Sequence, residues 1–334
     1  MLYNTRVRKI FLTLFTRRNT MRYSDIDGFK SSKIILGTDG YGEVIDENTA
    51  FTLMDIYREH GGNHIDTAKL YCGGESEIIV GKWIKSRGRR DTIIATKGAH
   101  PELNTMHIPR LSREEIESDI DSSLFRLNID CIDLYWLHRD NEAFDCIEIL
   151  ESMNSFVKKG KIRKFGCSNW TSARIEKANT YAKSHGLDAF CASQIRFSPA
   201  ATAPDYVGDT TLVEMTASEY EYYKNSSVAV MAFASQAKGF FSKLLSGGEE
   251  ALSVKAKERY YCGENLEKAK TVAALSQKYG ISPAGAVCSA LSSLEAVDVF
   301  PIIGGKSDLQ IKQSLEGADI ILQPNEIKKL ISFA

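Results

Sequence analysis

The sequence predicts an α/β protein whose fold class is the (β/α)8 TIM barrel. Short apolar runs recur eight times along the chain, and the stretches between them are long enough for one helix and two loops. The runs carry few polar residues, which is typical of parallel strands that helices cover on both faces. Eight such units in about 310 residues favour a closed barrel over an open doubly wound sheet.

Each predicted strand is an apolar run that ends at polar or turn-forming residues. The eight predicted strands are Lys33–Leu36, Asn63–Asp66, Thr92–Thr96, Cys131–Leu137, Lys164–Ser168, Ala189–Ser193, Val228–Ala232 and Phe300–Ile303. Strands that follow one another in a parallel barrel are neighbours, so their carboxyl ends meet at one mouth of the barrel.

Helical patterns fill most of the intervals between the strands. The clearest begins at Ser112, which forms a capping box with Glu115 ahead of apolar residues at helical spacing. Other helices are expected to begin near Glu75 and near Ala143. A last helix is expected over Asn325–Phe333.

Two intervals are longer than a simple strand and helix unit requires. Ser198–Asp209 follows the sixth predicted strand and Gly239–Gly263 follows the seventh, so both are expected at the mouth where barrel enzymes build their active sites. Loops of this length are usually functional or mobile. Pro204, Tyr206 and the pair Phe240–Phe241 indicate an apolar or aromatic lining for a substrate.

Composition and charge are those of an ordinary globular protein. The chain has 334 residues, of which 43% are hydrophobic, with 42 basic and 43 acidic side chains. We expect one barrel domain over residues 21–334. The first 20 residues contain basic but no acidic side chains, so the remainder is mildly acidic, which argues against a nucleic-acid partner.

Residues 1–20 form a basic N-terminal extension that is expected to lie outside the fold. Its longest apolar stretch, Ile10–Phe15, is interrupted by Thr13 and is far shorter than the ~18 residues that a membrane span needs. The segment also lacks the small-residue cleavage site of a secretory signal. An extension ahead of a start at Met21 and an organelle presequence both stay open, and no membrane association is expected.

Cysteine and histidine usage indicates neither disulfide bonds nor a metal centre. The seven cysteines are widely spaced without a Cys-x-x-Cys pair, and the six histidines are scattered. Disulfide frameworks and zinc sites need ligands in paired or closer spacing. We therefore expect free thiols, no metal and a reducing, cytoplasmic location.

Four chemically active side chains are predicted to converge at the barrel mouth. Asp66, Lys97 and His138 each follow an apolar run directly, and consecutive strands bring these ends together. Tyr71 lies in the loop after Asp66, over the same mouth. Each residue alone is compatible with a structural role, but together the four describe a proton donor.

The expected role of each residue follows from its charge. A phenol has a reference pKa of about 10, so it is a poor acid at neutral pH unless a cation stabilises the phenolate. Lys97 is the expected cation for Tyr71, and Asp66 would orient Lys97 and offset its charge. His138 would donate a hydrogen bond to a substrate oxygen.

The motifs around these residues resemble the aldo-keto reductase family over about residues 30–332, and within it the aryl-alcohol dehydrogenases. The matching positions are Asp66, Thr67, Ala68, Tyr71, Gly74, Ser76 and Glu77, then Ile132 to His138, Gly160 to Arg163, Gly166 to Asn169, Gln194, and Ile303 to Ser307. The resemblance implies a carbonyl reductase with NADPH, rather than NADH, as the hydride donor and a small-molecule carbonyl compound as substrate. It also implies that Asp66, Tyr71, Lys97 and His138 are the catalytic residues.

The same resemblance implies a cofactor-binding face at the mouth. Ser168, Asn169 and Gln194 would hold the carboxamide and Phe233 would stack on the nicotinamide. Lys306 would face the adenosine 2′-phosphate, the contact that favours NADPH. The implied cofactor-binding residues are Gly37, Thr38, Asp39, Asp66, Ser168, Asn169, Gln194, Phe233, Ala234, Ser235, Gln236, Gly304, Lys306, Ser307, Gln310, Gln313 and Ser314.

Two other functions stay open. A cofactor-binding regulatory subunit that senses the redox state of the nicotinamide would share the cofactor face but show little turnover. An aldolase-like enzyme without a cofactor would use Lys97 as a Schiff-base amine. The first alternative keeps the cofactor and the second discards it, so cofactor binding separates them.

Overall fold

The computed structural model describes residues 20–334, and these residues form ten strands in two sheets. The strands are β1 (Tyr23–Ile26), β2 (Phe29–Ser32), β3 (Ile35–Gly37), β4 (His64–Asp66), β5 (Ile93–Gly98), β6 (Ile132–Leu137), β7 (Ile162–Ser168), β8 (Ala192–Arg196), β9 (Ala229–Phe233) and β10 (Val299–Ile303). The predicted extension over residues 1–20 lies outside the described residues, apart from Thr20.

Strands β3 to β10 form a closed parallel barrel. They follow chain order around the ring, and β10 pairs with both β9 and β3. This arrangement confirms the predicted (β/α)8 barrel, and every predicted strand overlaps an observed one. Closure leaves the ring without an unpaired edge, so each strand register is held from both sides.

Strand β8 lies further along the chain than its apolar run predicts. The pattern predicts Ala189–Ser193, whereas the strand spans Ala192–Arg196. Its register with β9 places Arg196 opposite Phe233. Backbone pairing does not depend on side-chain polarity, so the strand continues past Ser193 to a charged residue that an apolar pattern cannot include.

An antiparallel hairpin, β1 and β2, closes the amino-terminal end of the barrel, and no apolar run in the sequence predicts it. Its turn is formed by Asp27 and Gly28, whose φ angles of 47° and 93° are both positive, as two-residue hairpin turns favour. Ile26 and Phe29 flank the turn and pack against the barrel interior around Trp136. The Asp-Gly dipeptide is the sequence signal for such a turn, but polar strands obscured it.

Twelve α-helices lie in the described part of the chain. They are α1 (Glu47–Glu59), α2 (Glu75–Arg87), α3 (Arg113–Leu127), α4 (Cys146–Lys158), α5 (Ser172–His185), α6 (Ala217–Lys224), α7 (Phe240–Gly247), α8 (Val254–Tyr260), α9 (Gly263–Tyr279), α10 (Pro283–Ser292), α11 (Asp308–Leu315) and α12 (Pro324–Ile327). A core of buried apolar residues from strands and helices together lies between the ring and its helical cover. The capping box of Ser112 and Glu115 is confirmed at the start of α3.

Two predicted helix bounds are wrong. Helix α4 begins at Cys146 rather than near Ala143, because the Asp145 side chain accepts a hydrogen bond from the Ile147 amide and so caps the helix there. The last helix is α12, which ends at Ile327. Beyond it the chain continues in hydrogen-bonded turns, in which the Leu330 and Ile331 amides both donate to the Ile327 carbonyl and both side chains are buried.

The predicted long loop Gly239–Gly263 is mostly helical. It contains α7 and α8, joined by a short 3-10 turn over Glu249–Ala251. Phe240 and Phe241 are buried in the core, so the prediction that they line a substrate site is wrong. Two apolar residues at the start of a helix can equally anchor that helix, and the sequence does not distinguish the two roles.

No helix among residues 20–334 is long and apolar enough to cross a membrane. Within the same residues all seven cysteines are free, and no group of three or more potential ligands could hold a metal ion. The cytoplasmic location and the absence of a nucleic-acid partner stay predictions.

Candidate active site

The four predicted catalytic residues meet at the carboxyl-terminal mouth of the barrel. Asp66 ends β4, Lys97 lies near the end of β5, and His138 directly follows β6. These three strands are neighbours in the ring. Tyr71 lies in a 3-10 turn between β4 and α2, and its hydroxyl reaches Lys97.

Lys97 is the centre of this arrangement. Its Nζ donates hydrogen bonds to Asp66 Oδ2 at 2.5 Å, to the Thr67 carbonyl at 2.8 Å and to Tyr71 Oη at 2.9 Å. The side chain is 0% exposed, so these three acceptors stand in for the water that an ammonium ion would otherwise bind. Burial lowers the pKa of Lys97, but Asp66 and Tyr71 together outweigh it, so the pKa is raised and the amine stays protonated.

Asp66 is held on both of its oxygens. Oδ2 accepts from Lys97, and Oδ1 accepts from Gln194 Nε2 at 3.0 Å. Gln194 lies on β8, four strands further along the ring, so this hydrogen bond crosses the barrel interior. The carboxylate therefore fixes the position of the ammonium group and balances its charge.

Tyr71 keeps its proton more firmly than the sequence led us to expect. Burial raises the pKa of the phenol, and the opposing effect of Lys97 does not compensate for it. Lys97 lowers the pKa of Tyr71, which is the direction that the sequence predicts, but burial has the larger effect in the free protein. A protonated phenol beside an ammonium group is nevertheless the starting state that a proton donor needs.

His138 is neutral and lies beside the phenol. Its ring centroid is 6.0 Å from that of Tyr71 with an interplanar angle of 81°, and 5.0 Å from that of His100. Burial lowers the pKa of His138 well below its usual value, and Lys97 lowers it further. Nδ1 of His138 has no hydrogen-bond partner among residues 20–334. An uncharged imidazole here can donate a hydrogen bond without adding a second positive charge.

The turn that carries Tyr71 has an unusual backbone. Cys72, Gly73 and Gly74 have φ angles of 50°, 63° and 98°, in the left-handed region. A Cβ on Gly74 would lie 2.8 Å from the Arg126 side chain, so a larger residue there would meet both strain and a close contact. Three successive left-handed residues reverse the chain abruptly and start α2 at Glu75, as predicted.

Glu77, in the first turn of α2, connects the turn of Tyr71 to β5 and α3. Its buried carboxylate accepts from Thr96 Oγ1 at 2.5 Å and from Arg126 Nε at 2.6 Å. Thr96 lies on β5 directly before Lys97, and Arg126 lies on α3. The first turn of α2 is thereby tied to the strand that supplies the catalytic lysine.

The residues predicted to hold a carboxamide lie together at the ends of β7 and β8. Ser168 is opposite Gln194 in the strand register, and its hydroxyl donates to the Gln194 carbonyl at 2.8 Å. Asn169 has a φ of 60°, and its Nδ2 donates to Ser168 Oγ at 3.1 Å. Asn169 and Ser168 are thus joined to the backbone of Gln194, while the Gln194 side chain is bonded to Asp66.

A second predicted group follows β9. Phe233 ends the strand and is half-buried, and Ala234 after it has a φ of 53°. Ser235 Oγ donates to the Ile302 carbonyl at 2.6 Å, and Gln236 Nε2 donates to Ser314 Oγ at 2.9 Å. These hydrogen bonds fasten the segment after β9 to β10 and to α11.

The third predicted group surrounds the start of α11. Ser307 is the N-cap of this helix, and the Lys306 amide donates to Gln310 Oε1 at 2.7 Å. Lys306 and Gln310 are exposed, whereas Ser314 is buried. A helix start with an exposed lysine is suited to a phosphate group.

The remaining predicted cofactor contacts are unevenly placed. Asp39 and Gly304 are exposed at the mouth, and Gln313 is half-buried on α11. Gly37 ends β3. Thr38 is fully buried, and its Oγ1 is 2.7 Å from Ser76 Oγ, so its side chain holds the turn of Tyr71.

The described residues fit a nicotinamide dinucleotide laid across the mouth. A Cβ added to Gly304 would meet nothing nearer than Asp39 Oδ1 at 3.9 Å, so the surface beside α11 is open. The polar residues that the sequence predicts for the cofactor lie at the ends of β7, β8 and β9 and at the start of α11, around the same mouth.

Three polar residues near the mouth were not identified from the sequence: His100, Arg139 and Arg196. His100 follows β5, Arg139 follows His138, and Arg196 ends β8. None of them directly follows a predicted apolar run, which is the signal that identifies His138: one residue separates His100 from β5 and one separates Arg139 from β6. Arg196 was missed because the apolar run ends at Ser193.

The predicted long loop Ser198–Asp209 and the end of the chain meet beside the mouth. A cavity of about 240 Å³ is lined by Arg196, Ser198 to Thr202, Glu214, Tyr260 and Phe333, among others. The Phe333 ring is 6.1 Å from that of Phe197 and 5.5 Å from that of Tyr220. The first part of the predicted loop lines the cavity, whereas Pro204 and Tyr206, which the sequence predicts to line a substrate site, do not.

Comparisons with known proteins agree with this architecture. The model of the aldo/keto reductase family matches residues 33–334. Norsolorinic acid reductase stcV of Emericella nidulans is 27% identical over 92% of this chain and 79% of its own length. Aryl-alcohol dehydrogenase GME11368 of Pestalotiopsis microspora is 26% identical over 87% of this chain and 73% of its own length.

A third relative and a solved structure add to these. Aldo-keto reductase ausK of Emericella nidulans is 28% identical over 91% of this chain and 79% of its own length. The crystal structure of a protein provisionally described as 2,5-diketo-D-gluconic acid reductase B has a TM-score of 0.68, covering 95% of this chain and 92% of that chain. At 17% identity, the structural likeness bears on the fold alone.

Proposed function

The chain belongs to the aldo/keto reductase family, and from that premise we propose that it is an NADPH-dependent reductase of aldehydes and ketones. The observation that carries the proposal is the contact of Tyr71 Oη with Lys97 Nζ at 2.9 Å, in the middle of the barrel mouth. We propose aryl aldehydes as the substrate class, because one relative is named as an aryl-alcohol dehydrogenase, the same reaction in reverse.

NADPH would supply the hydride that the carbonyl carbon accepts. Asn169, Gln194 and Ser168 would hold its carboxamide, with Phe233 against the nicotinamide ring. Lys306 and the amino-terminal end of α11 would hold phosphate. The protein contributes position and charge to this step, while the difficult bond change belongs to the cofactor.

Tyr71 would supply the proton. As the carbonyl carbon gains a hydride, its oxygen gains electron density and takes the proton from Tyr71 Oη, so the products are an alcohol and a phenolate. Lys97, whose Nζ is 2.9 Å from Tyr71 Oη, stabilises the phenolate. The raised pKa of Tyr71 in the free protein keeps the proton in place until the oxygen becomes basic enough to take it.

His138 would orient the carbonyl. Its neutral ring lies at the edge of the phenol, so an oxygen that contacts Tyr71 is also within the reach of the imidazole. A hydrogen bond from His138 aligns the carbonyl and stabilises negative charge that develops on its oxygen.

The bonding of Lys97 opposes the Schiff-base alternative. A nucleophilic amine must be neutral, but Asp66 and Tyr71 keep the pKa of Lys97 raised. All three of its N–H donors are also already paired. An attack by this nitrogen on a carbonyl carbon would break the whole arrangement.

The variant Tyr71→Phe tests the proposal. We expect steady-state reduction of benzaldehyde with NADPH to fall by roughly 10²–10⁴-fold, because the proton donor is lost while the ring shape is kept. NADPH binding, measured by quenching of tryptophan fluorescence, is expected to stay as in the original protein. Tyr181→Phe, on the outer helix α5, is the matched control: its hydroxyl donates to Glu151, so the variant also loses one phenol hydrogen bond but should keep both properties.

Two results would contradict the proposal. Turnover by Tyr71→Phe at the original rate would remove Tyr71 as the proton donor. NADPH binding and a single oxidation without steady-state turnover on any carbonyl compound would instead favour a redox-sensing regulatory subunit.

A further inference from the structure

Two arginines lie at the barrel mouth beside the catalytic residues. Arg139 directly follows His138, and burial lowers the pKa of its guanidinium, which lies near the charges of Asp209 and Arg196. Arg196 ends β8, with its guanidinium carbon 5.6 Å from the centroid of the Phe233 ring. Arg139 is therefore next in the chain to the catalytic imidazole, and Arg196 lies against the ring that would stack on the nicotinamide.

The strand geometry directs Arg196 toward the mouth. Successive residues of a strand point to opposite faces, so residues two apart share a face. Gln194, two residues earlier on β8, points into the barrel and donates to Asp66. Arg196 lies on the same face one step nearer the mouth, and it lines the cavity beside the Ser198–Asp209 loop.

The carboxylates that pair with these arginines do not balance the positive charge. Arg139 Nη2 is 3.1 Å from Asp209 Oδ2. Arg196 Nη1 and Arg259 Nη2 share a single oxygen, Glu214 Oε1, at 2.6 Å each. Three guanidinium groups thus face two carboxylates in this cluster, which leaves an excess positive charge.

The cluster also retains unused hydrogen-bond donors, and one of its carboxylates, Asp209, is partly exposed and is held to Arg139 through Oδ2 and to Thr211 through Oδ1. The Nε atoms of Arg139, Arg196 and Arg259 are buried and have no partner among residues 20–334. The Asp209 side chain is 40% exposed, whereas that of Arg139 is 15% exposed. Asp209 belongs to a segment without regular secondary structure, so a ligand can replace its carboxylate without disturbing a helix or strand.

We propose that the substrate is a carbonyl compound that also carries a carboxylate, and that this carboxylate binds Arg139 and Arg196 in place of Asp209. Guanidinium groups bind carboxylates in paired, charge-assisted hydrogen bonds, and carboxylates are the partners that both arginines have in the free protein. The carbonyl group would then lie toward Tyr71 and His138. This inference rests on the proposed reductase function and adds its substrate class.

A matched pair of substrates tests the inference. 4-Carboxybenzaldehyde carries the carboxylate, and methyl 4-formylbenzoate has the same ring with an uncharged ester. We expect kcat/KM with NADPH to favour the acid, and Arg139→Gln or Arg196→Gln to lower the ratio of acid to ester by roughly tenfold or more. The preference should also weaken as KCl is raised, because salt screens exposed charge.

Two further variants are included: one should raise the acid-to-ester ratio of kcat/KM, and the other is a control that should not change it. Asp209→Asn removes the competing carboxylate but keeps Oδ1, which accepts from the Thr211 amide, so the acid-to-ester ratio should rise. Arg163→Gln, an exposed arginine near the other end of the barrel, should leave the ratio unchanged.

The outcomes separate this inference from the proposed function. Equal kcat/KM for acid and ester would overturn the carboxylate site and leave the reductase intact. Equal losses for both substrates in Arg139→Gln and Arg196→Gln would make the arginines structural and overturn it too. If neither compound is reduced, calorimetric binding of 4-carboxybenzaldehyde that Arg139→Gln abolishes would uphold the site and reject the reductase, and absence of such binding would reject both.

Discussion

Lys306 is the residue whose charge is most available to a ligand on the cofactor face. It is exposed beside the N-cap of α11 and forms no ion pair with another described residue. An unpaired cation at a helix start attracts phosphate through both its own charge and the helix dipole. These features support the proposal that Lys306 selects the 2′-phosphate of NADPH.

We therefore expect Lys306→Ala to weaken NADPH binding about tenfold, the size of one charge-assisted contact, while NADH binding stays unchanged. Fluorescence titration with each cofactor measures both affinities. Lys85→Ala, an exposed lysine near the end of α2, serves as the control. A parallel loss of NADPH and NADH affinity would show that Lys306 does not contact the 2′-phosphate.

Single residues also mark what the sequence could and could not predict. Asp66, Lys97 and His138 were identifiable because each follows an apolar strand, and the structure brings them together. The net upward shift of the Tyr71 pKa could not be predicted from the sequence, because the burial that causes it depends on neighbours from distant parts of the chain. The roles of the four residues in catalysis stay predictions.

At the scale of elements, local signals determined how accurately each bound was predicted. The α3 start was predicted because its capping box lies within four residues, and the barrel strands were found because each overlaps a run of mainly apolar residues. The β1–β2 hairpin and helices α7 and α8 were missed. Their local signals are short, the Asp27-Gly28 turn of the hairpin and the Ser253 cap of α8, and these signals do not reveal the packing on the barrel.

The capping box provides a test of one element. Ser112 Oγ accepts from the Glu115 amide, so Ser112→Ala leaves a helix donor without its partner. We expect the free energy of unfolding to fall by about 1 kcal/mol. Urea unfolding measures the change, and Ser184→Ala, in the exposed last turn of α5, is the comparison that should cost less. Equal effects would show that the cap contributes little.

For the whole molecule, a buried histidine couples stability to pH. His64 on β4 is fully buried with Nδ1 2.8 Å from Ser31 Oγ, which joins the barrel to the hairpin. Burial, and secondarily Lys97, lowers the pKa of His64 to about 3. In the unfolded chain the imidazole of His64 would bind a proton near pH 6.5, whereas in the folded chain it would stay neutral at that pH. This contribution to stability is complete above pH 6.5 and is lost as the pH falls toward 3.

Replacing this imidazole should make the protein less sensitive to acid. Between pH 7 and pH 4, we expect the original protein to lose about 3 kcal/mol more unfolding free energy than His64→Asn, which cannot take up the proton. Urea titrations at several pH values give the unfolding free energy of each protein as a function of pH, and the two slopes are then compared. Identical slopes would mean that His64 is not the group responsible.

The cavity beside the mouth has a practical consequence for protein engineering. Phe333 forms part of its wall, and Ala334 follows directly. A purification tag or fluorescent protein fused after Ala334 would emerge beside the opening and could obstruct ligands there. Kinetic measurements are therefore best made with an amino-terminal or cleavable tag, and a carboxyl-terminal fluorophore could serve as a reporter of ligand entry.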